Sequence, residues 1–202
     1  VLDVDTRGIV KSGYRILKTR GKSAARLRVP AGNLPADVLP AIQAVAATYG
    51  NGSIHLTTRQ GIEIPHIDLR DVPRVKEALA PVISRLQGPT GTDPSGHWKE
   101  GYRNVGTRNV VSCVGNRVCQ FANCDSSALA HRLEREFFEN AHHMKIGVTA
   151  CPNDCARARV MDLGIVGVVE PLHDLYKCVG CSRCANTCKT FCGAIEMVNE
   201  KA

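Results

Sequence analysis

Apolar side chains recur with two different periods in the first half of the chain. Apolar residues at helical spacing predict one helix that begins at Pro35 and stops at Gly50, and a second helix over residues 72–86. Short alternating or β-prone runs predict three strands, over residues 25–29, 53–57 and 62–65. Helices that alternate with short strands indicate an α+β sandwich, and a ferredoxin-like topology fits this order of elements.

A stretch of turn residues separates this region from a second one. Residues 88–96, Gly-Pro-Thr-Gly-Thr-Asp-Pro-Ser-Gly, predict the boundary between two lobes. Beyond it, an amphipathic helix is predicted over residues 126–138, and strands are predicted over residues 109–114, 145–149 and 163–169. The last strand is predicted to be buried because it is almost wholly apolar, and the segment after it to be short and loop-like.

These patterns divide the chain into three predicted domains, residues 1–88, 97–170 and 171–202. With 202 residues, 44% of them hydrophobic, the chain is long enough to bury one sizeable core, or one core with a small appended module. No apolar run approaches the roughly 20 residues of a membrane-spanning helix, and no signal peptide opens the sequence. We therefore expect a cytoplasmic protein that does not enter a membrane.

The positive charge of the chain requires an explanation. The formal net charge is +7, and residues 7–28 contain eight Lys or Arg and no Asp or Glu. Nucleic acid is the usual partner of a basic protein, but aromatic residues make up only 4% of the chain and rarely interleave the basic run, so nucleic acid is not favoured. An acidic cofactor, an acidic electron donor or a solvated basic face would account for the charge equally well.

All ten cysteines lie between Cys113 and Cys192, and none occurs in the first 112 residues. A disulfide framework would be spread more widely, so clustered thiols in a chain without a secretion signal indicate metal or cluster ligands. The first set has the spacing C-x5-C and C-x3-C and comprises Cys113, Cys119, Cys151 and Cys155. Two separated thiolate pairs suit a [4Fe–4S] cluster, whereas structural zinc usually has tighter pairs.

A second set of cysteines follows the bacterial ferredoxin spacing C-x2-C-x2-C-x3-C. It comprises Cys178, Cys181, Cys184 and Cys188. This spacing predicts a further [4Fe–4S] cluster, although Lys189 stands where proline usually follows the fourth cysteine. The fourth ligand is Cys188, Cys192 or a residue outside this sequence. Cys124 belongs to neither set, and a single cysteine is more often a small packing residue.

Several motifs occur together in an order that identifies a family. They are residues 50–60 (Gly-Asn-Gly-Ser-Ile-His-Leu-Thr-Thr-Arg-Gln), residues 108–110 (Arg-Asn-Val), the C-x5-C pair and Cys-Pro-Asn-Asp-Cys. The chain resembles the sirohaem sulfite and nitrite reductases over nearly its whole length. A ferredoxin segment directly after residues 162–167 resembles the anaerobic sulfite reductases of that family. The resemblance implies a ferredoxin-like half-domain, then a sirohaem- and [4Fe–4S]-binding α+β domain with an inserted ferredoxin-type segment.

The resemblance also implies roles for individual residues. The cysteines of the first set would bind a [4Fe–4S] cluster, and Cys155 would also ligate the sirohaem iron. Arg59 and Arg108 match family arginines near the haem and the substrate anion, and Asn153 falls in the cofactor-binding motif. Lys145 matches one of two family lysines, and His143 stands where the other would be. Cations suit this chemistry because sulfite is an anion whose oxygens must be protonated before they leave as water.

The implied activity is the reduction of sulfite to sulfide with electrons delivered through iron–sulfur clusters, and nitrite is the alternative substrate. Family active sites combine two related halves, and this chain has one, so a homo- or hetero-oligomer with electron-donating flavin or iron–sulfur subunits is expected. Two other classes of function stay open. One is an electron-transfer module without catalysis, and the other is a zinc-stabilised module that binds nucleic acid.

Overall fold

The computed structural model describes residues 6–87, 106–138, 140–170, 172–191 and 193–198. The predicted boundary at residues 88–96 and Cys192 lie outside these ranges. The chain forms two compact units, Val1–Val168 and Val169–Ala202. The first unit contains two sheets, and the second contains the ferredoxin-type cysteines. The division into three domains at the predicted residue numbers stays a prediction.

The first sheet is antiparallel and has four strands in the order β1-β2-β4-β3. Its elements, with the helices that accompany them, are α1 (Thr6–Lys11), β1 (Tyr14–Ile16), β2 (Lys22–Leu27), α2 (Leu39–Tyr49), β3 (His55–Leu56), β4 (Ile62–Asp68) and α3 (Val72–Gln87). Both predicted helices and all three predicted strands are present, with shifted ends. The sequence prediction missed α1 and β1, because a basic run hides the apolar signal of Tyr14, which is buried.

One continuous apolar core lies between this sheet and its two long helices. Helix α3 contributes a stripe at helical spacing that includes Val75, Leu79 and Leu86, all nearly inaccessible to solvent. In β4 the inward positions change phase at His66, whose φ of 66° marks an irregularity in the pairing with β2. Ile67 therefore faces the core together with Ile64.

The second sheet is parallel and has three strands in the order β5-β6-β7. The elements are β5 (Val111–Ser112), α4 (Ser126–Phe137), β6 (Ile146–Thr149) and β7 (Leu163–Val166). A small apolar cluster, with Val110, Ala130 and Val148 at its centre, joins α4 to the sheet. The predicted burial of residues 163–169 is wrong. Among the residues that the structure describes, β7 pairs with β6 alone, so it is an edge strand whose Leu163 is 39% exposed, and the strand ends at Val166.

The second unit contains the helix α5 (Arg183–Phe191). The prediction of a loop-like terminal segment is therefore wrong. The C-x3-C spacing of Cys184 and Cys188 equals one helical turn, so ligand spacing and helix formation coincide here. Among the described residues, no helix is both long and apolar enough to cross a membrane. The mixed helix and sheet content confirms the predicted α+β class.

Candidate cluster and anion site

Two cysteines of the first set, Cys113 and Cys151, lie at the carboxyl ends of neighbouring parallel strands. Cys113 directly follows β5, and Cys151 follows β6 after one intervening residue. Cys113 N–H donates to Val148 O at 3.2 Å, and Ala150 N–H donates to Cys113 Sγ at 3.2 Å. Parallel pairing therefore brings together two cysteines that are far apart in sequence. The carboxyl edge of a parallel sheet is a common place for ligands in α/β proteins.

A tight turn returns the chain from Cys113 to Cys119. Gly115 has φ of 70°, a left-handed conformation that glycine adopts without strain, and Cys119 N–H donates to Gly115 O at 2.9 Å. Ser126, fully buried at the start of α4, donates from Oγ to Cys113 O at 3.0 Å. Its Oγ also lies 3.2 Å from Cys113 Sγ. The start of α4 thus supports the first cysteine directly.

The environment of Cys113 favours its thiolate. Burial alone would raise the pKa of the thiol, but its hydrogen bonds, chiefly with Ser126 and the Ala150 N–H, together outweigh burial and lower the pKa of Cys113 below its usual value. The thiolate is the form that binds metals and clusters. The contacts of Cys113 therefore fit the role of a cluster ligand.

The loop between Cys151 and Cys155 is held by its own aspartate. Asp154 has φ of 51°, and its carboxylate accepts hydrogen bonds from Ala158 N–H at 2.6 Å and Arg159 N–H at 3.2 Å. Cys151 is buried, whereas Cys155 is exposed. The loop thus fixes one thiol inside the protein and presents the other on the surface, where it is accessible to a bulky group. Asp154 stands inside Cys-Pro-Asn-Asp-Cys, but the spacing of that motif predicts no role for it.

The three-residue 3-10 turn Ala158–Val160, which follows this loop, lies directly on β6 and β7. A side chain at Gly164 would come within 2.2 Å of Ala158 O, and one at Gly147 within 3.0 Å of Ala158 Cα. Two glycines therefore permit the close approach that anchors the end of the Cys155 loop.

Cys124 lies beside the same thiols. Burial raises the pKa of Cys124, and the negative charges of Cys113, Asp125 and Cys151 raise it further. A side chain at Gly167 would come within 2.8 Å of Cys124 Sγ. Cys124 is thus a half-buried neighbour of the predicted ligands that favours its protonated form.

Four arginines lie close together near β5, the strand that leads to Cys113. Arg108 precedes β5 and donates from Nε to His143 Nε2 at 3.0 Å. Burial lowers the pKa of the Arg108 guanidinium, and the charges of Arg59, Arg26 and Arg28 lower it further. Of the four predicted catalytic residues, Arg108 and His143 are in direct contact. Repulsion among neighbouring arginines is relieved when an anion binds between them.

Of the three arginines that surround Arg108, two have carboxylate partners. Arg26 forms an ion pair with Glu63, and Arg28 forms a buried ion pair with Glu134 at 2.5 Å between Nη2 and Oε1. The side chain of Arg59 has no hydrogen bond or ion pair with any residue that the structure describes. Arg59 is therefore the cation of this group that is most available to an anion.

The remaining predicted residues lie around the same strand ends. Lys145 precedes β6, and its N–H donates to Asp162 Oδ2 at 2.8 Å while its side chain is half-buried. Asn153 is exposed between Cys151 and Cys155, and His143 is also exposed. Lys145 is thus held at a fixed backbone position, and its amine has no partner among the residues with described positions.

The ferredoxin-type cysteines are divided between a loop and a helix in the second unit. Cys178 and Cys181 precede α5, and Cys184 and Cys188 lie one turn apart on it. Ala194 N–H donates to Cys188 Sγ at 3.1 Å, and Gly193 N–H donates to Cys188 O at 2.8 Å. Hydrogen bonds to sulfur are typical of cluster ligands, so the bond from the Ala194 N–H to Cys188 Sγ fits the role of a ligand.

The donor sets consist of thiols, and four thiolates are the ligands that an iron–sulfur cluster takes. Among the described residues, no group of three His, Cys, Asp or Glu side chains is placed to hold a single metal ion. The cationic group at Arg59 and Arg108 likewise fits a tetrapyrrole with many carboxylates.

Two family models match this chain. Residues 16–82 match the nitrite/sulfite reductase ferredoxin-like half domain, and residues 104–193 match the nitrite and sulphite reductase 4Fe-4S domain. The two matches together cover well over half of the sequence. The chain therefore belongs to the nitrite and sulfite reductase family, as the sequence motifs predicted.

Individual proteins of known name are similar to this chain over different shares of their length. The chain is 38% identical, over its whole length, to one subunit of the anaerobic sulfite reductase of Salmonella typhimurium, and it spans 60% of that subunit. It is 30% identical to the coenzyme F420-dependent sulfite reductase of Methanocaldococcus jannaschii over 79% of this chain and 24% of that one. The NirA protein of Mycobacterium tuberculosis shares the fold, with a TM-score of 0.57 and 16% identity over 75% of this chain and 26% of that one.

Proposed function

We propose that this chain is the sirohaem- and cluster-binding part of an enzyme that reduces sulfite to sulfide. The observation that carries the proposal is Arg59, whose side chain has no partner within the described ranges. Arg59 lies near Arg108, whose guanidinium is repelled by the neighbouring arginines, and Arg108 precedes the strand that leads to Cys113. An anion site directly beside a set of thiols is what the reduction of an oxyanion requires. The similarity to a subunit of the Salmonella anaerobic sulfite reductase favours sulfite as that anion.

We propose the following roles for the cysteines. Cys113, Cys119, Cys151 and Cys155 would hold one [4Fe–4S] cluster, and the exposed Cys155 would also ligate the sirohaem iron. When bound, sirohaem would supply an iron that accepts the anion and passes electrons to it. The protein would contribute the environment of the cluster, in which the Ala150 N–H donates to the Cys113 sulfur and Ser126 Oγ lies within hydrogen-bond distance of it.

The cations would divide the work between binding and proton transfer. Arg59 and Arg108 carry permanent charge, so they would bind and orient the anion. His143 accepts a hydrogen bond from Arg108 at Nε2, so its neutral form carries its proton on Nδ1. Lys145 and His143 carry N–H groups that can be donated, so they would deliver the protons with which the oxygens leave as water. The exposed Asn153 would contact the cofactor beside Cys155.

We further propose that Cys178, Cys181, Cys184 and Cys188 hold a second [4Fe–4S] cluster that receives electrons from separate flavin or iron–sulfur subunits. The Salmonella relative is by name one subunit of its enzyme, which supports an assembly of several chains. We expect the enzyme to work in the cytoplasm as a homo- or hetero-oligomer. Nucleic acid and membrane partners are not part of this proposal.

The test is turnover by the anaerobically purified enzyme that contains this chain, with a reduced viologen dye as electron donor. Wild-type enzyme should reduce sulfite. Arg59→Ala should raise the KM for sulfite about tenfold or more, since a charge-assisted hydrogen bond contributes roughly 1.5–3 kcal/mol. Arg74→Ala is the matched control, because Arg74 is an exposed surface arginine on α3. Turnover of nitrite but not sulfite would assign the alternative substrate, and intact clusters without either activity would indicate an electron-transfer module.

A further inference from the structure

The strand β5, which leads to Cys113, pairs with β6 on one side, and the side chain of Gln60 covers its other side. Cys113 N–H bonds to Val148 O of β6, and because backbone groups alternate between the two sides of a strand, those of Ser112 face away from β6. Gln60 Nε2 donates to Ser112 O at 2.7 Å, and Ser112 N–H donates to Gln60 Oε1 at 2.9 Å. The side-chain amide of Gln60 thus takes the place of a neighbouring strand.

The side-chain amide of Asn109 also holds the loop of residues 57–61, which contains Arg59 and Gln60. Asn109 Nδ2 donates to Arg59 O at 2.8 Å and to Val29 O at 3.0 Å, so both of its N–H groups are used. Asn109 is buried, and water therefore does not compete for these bonds. The backbone of Arg59 is consequently tied to the residue directly after Arg108.

The backbone of the loop shows that these contacts determine its shape. Gln60 has φ of 60°, in the left-handed region that non-glycine residues disfavour. Such a conformation persists only where the surroundings fix it. Within the loop, Gln60 N–H donates to Thr57 O at 3.0 Å, and Thr57 N–H donates to Gly61 O at 2.8 Å. The two bonds to Ser112 supply the fixation from outside the loop.

We propose that Gln60 and Asn109 are positioning residues that hold Arg59 at a set place relative to Arg108 and Cys113. The inference rests on the proposed function only in taking Arg59 as an anion-binding residue. A guanidinium that is held in place loses less conformational freedom when an anion binds. Loss of either amide should therefore reduce anion affinity through Arg59, without contact between the amides and the anion.

The first test measures hydrogen exchange of residues 57–61 in the holoenzyme. Gln60→Met keeps the length of the side chain but removes both bonds to Ser112. We expect exchange in this loop to rise about tenfold or more, because two hydrogen bonds of ordinary strength are lost. Gln60→Glu, which keeps the acceptor for the Ser112 N–H, should give a smaller rise. Unchanged exchange in both variants would overturn the positioning role.

A matched control separates positioning from general destabilisation. Val82→Ala removes part of a buried side chain of α3 in the apolar core of the antiparallel sheet, and Val82 makes none of the hydrogen bonds of Gln60 and Asn109. It should lower the midpoint of urea unfolding but leave exchange of residues 57–61 and the KM for sulfite unchanged. If Val82→Ala loosened this loop as much as Gln60→Met does, the effect of Gln60 would be a general one and the inference would be wrong.

The second test is a double-mutant cycle on the KM for sulfite. Gln60→Met alone should raise the KM about tenfold and change kcat less, whereas in an Arg59→Ala background it should have almost no further effect. Additive effects of the two substitutions would contradict positioning through Arg59. If wild-type enzyme bound neither sulfite nor nitrite while loop exchange still rose as expected, the proposed function would fail and the positioning of Arg59 would stand.

Discussion

The two sheets of the first unit are stabilised by different means. The antiparallel sheet packs a continuous apolar core against α2 and α3, and its cross-strand pairs are regular apart from the irregularity at His66. The parallel sheet has a small apolar cluster, and polar side chains such as Thr107, Asn109, Ser126 and Glu134 are buried around it. Buried polar groups are thus concentrated around the parallel sheet, where we propose that thiols and cations are held in fixed positions.

The largest expected effect is on cofactor content, and it comes from the thiols of the parallel sheet. Cys155→Ser removes a predicted ligand of both the cluster and the haem, so we expect loss of acid-labile sulfide and of the tetrapyrrole absorption. Cys124→Ser is the matched control, since Cys124 lies beside the same thiols but is not a predicted ligand. Iron and sulfide assays on both purified variants provide the measurement. Equal loss in both variants would mean that the ligand assignment is wrong.

The next effect concerns the buried ion pair between Arg28 and Glu134, which lies near Arg108. Arg28 Nη2 contacts Glu134 Oε1, Arg28 Nη1 donates to Thr107 O at 3.0 Å, and Glu134 Oε2 accepts from Val110 N–H at 2.9 Å. Arg28→Met leaves the Glu134 carboxylate buried without its cation, so the free energy of unfolding should fall by about 3–5 kcal/mol. Urea unfolding provides the measurement.

A double variant separates the stranded charge from lost packing. Replacement of Glu134 by Leu in the Arg28→Met background removes the stranded carboxylate and should recover part of the lost stability. If Arg28→Met alone changed stability by less than about 1 kcal/mol, the ion pair would be an exposed, weak one, contrary to its burial.

The antiparallel sheet should respond differently to substitution. Leu79→Ala creates a cavity in its apolar core, which should lower the free energy of unfolding by about 2–5 kcal/mol. Because Leu79 lies in the apolar core of the antiparallel sheet, iron, sulfide and the visible spectrum of the folded protein should stay the same. A Leu79→Ala protein that folds but has lost its cluster would show that the two sheets are less independent than their separate cores indicate.

The smallest effect is a dependence of stability on pH that arises in α4. Burial lowers the pKa of His131, the charges of Arg135 and Arg117 lower it further, and Asp125 opposes them. The unfolded chain therefore binds a proton at His131 more readily than the folded one. Its contribution to stability is present above the unfolded pKa, near 6.5 for histidine, and is lost as pH falls toward the lower folded value.

The His131→Gln variant tests this contribution, since glutamine does not titrate. Its unfolding midpoint should fall less between about pH 7.5 and 5.5 than that of the wild type. Thermal unfolding of both proteins across this range provides the measurement. Parallel curves for the two proteins would show that His131 titrates alike in the folded and unfolded states.

Local periodicity was enough to predict much of this fold from the sequence. The long helices α2, α3 and α4 repeat apolar residues at helical spacing, and the strands that deliver Cys113 and Cys151 are short apolar runs. The exposure of β7 could not be predicted, because it follows from the strand's place in the sheet, where the described residues pair with it on one side. Helix α5 could not be predicted, because the spacing of its cysteines fits cluster ligands in a loop as well as one helical turn.

The site could be predicted only as a set of residues without its supporting contacts. The motifs contain Gln60, Asn109 and Asp154, yet their bonds reach backbone groups that spacing does not identify. The contact between Ser126 and Cys113 joins a helix start to a strand end, and it too depends on the tertiary fold. Side-chain to backbone bonds of this kind follow from the arrangement of elements, which local sequence patterns do not determine.

The most direct test of the central claim is an ultraviolet–visible spectrum of the anaerobically purified enzyme that contains this chain. Iron, zinc and acid-labile sulfide would be assayed on the same sample. We expect the bands of a reduced tetrapyrrole together with iron and sulfide, and the loss of those bands in Cys155→Ser. Zinc without iron, or iron and sulfide with no tetrapyrrole bands in the wild-type enzyme, would contradict the claim that this chain holds a cluster joined to sirohaem.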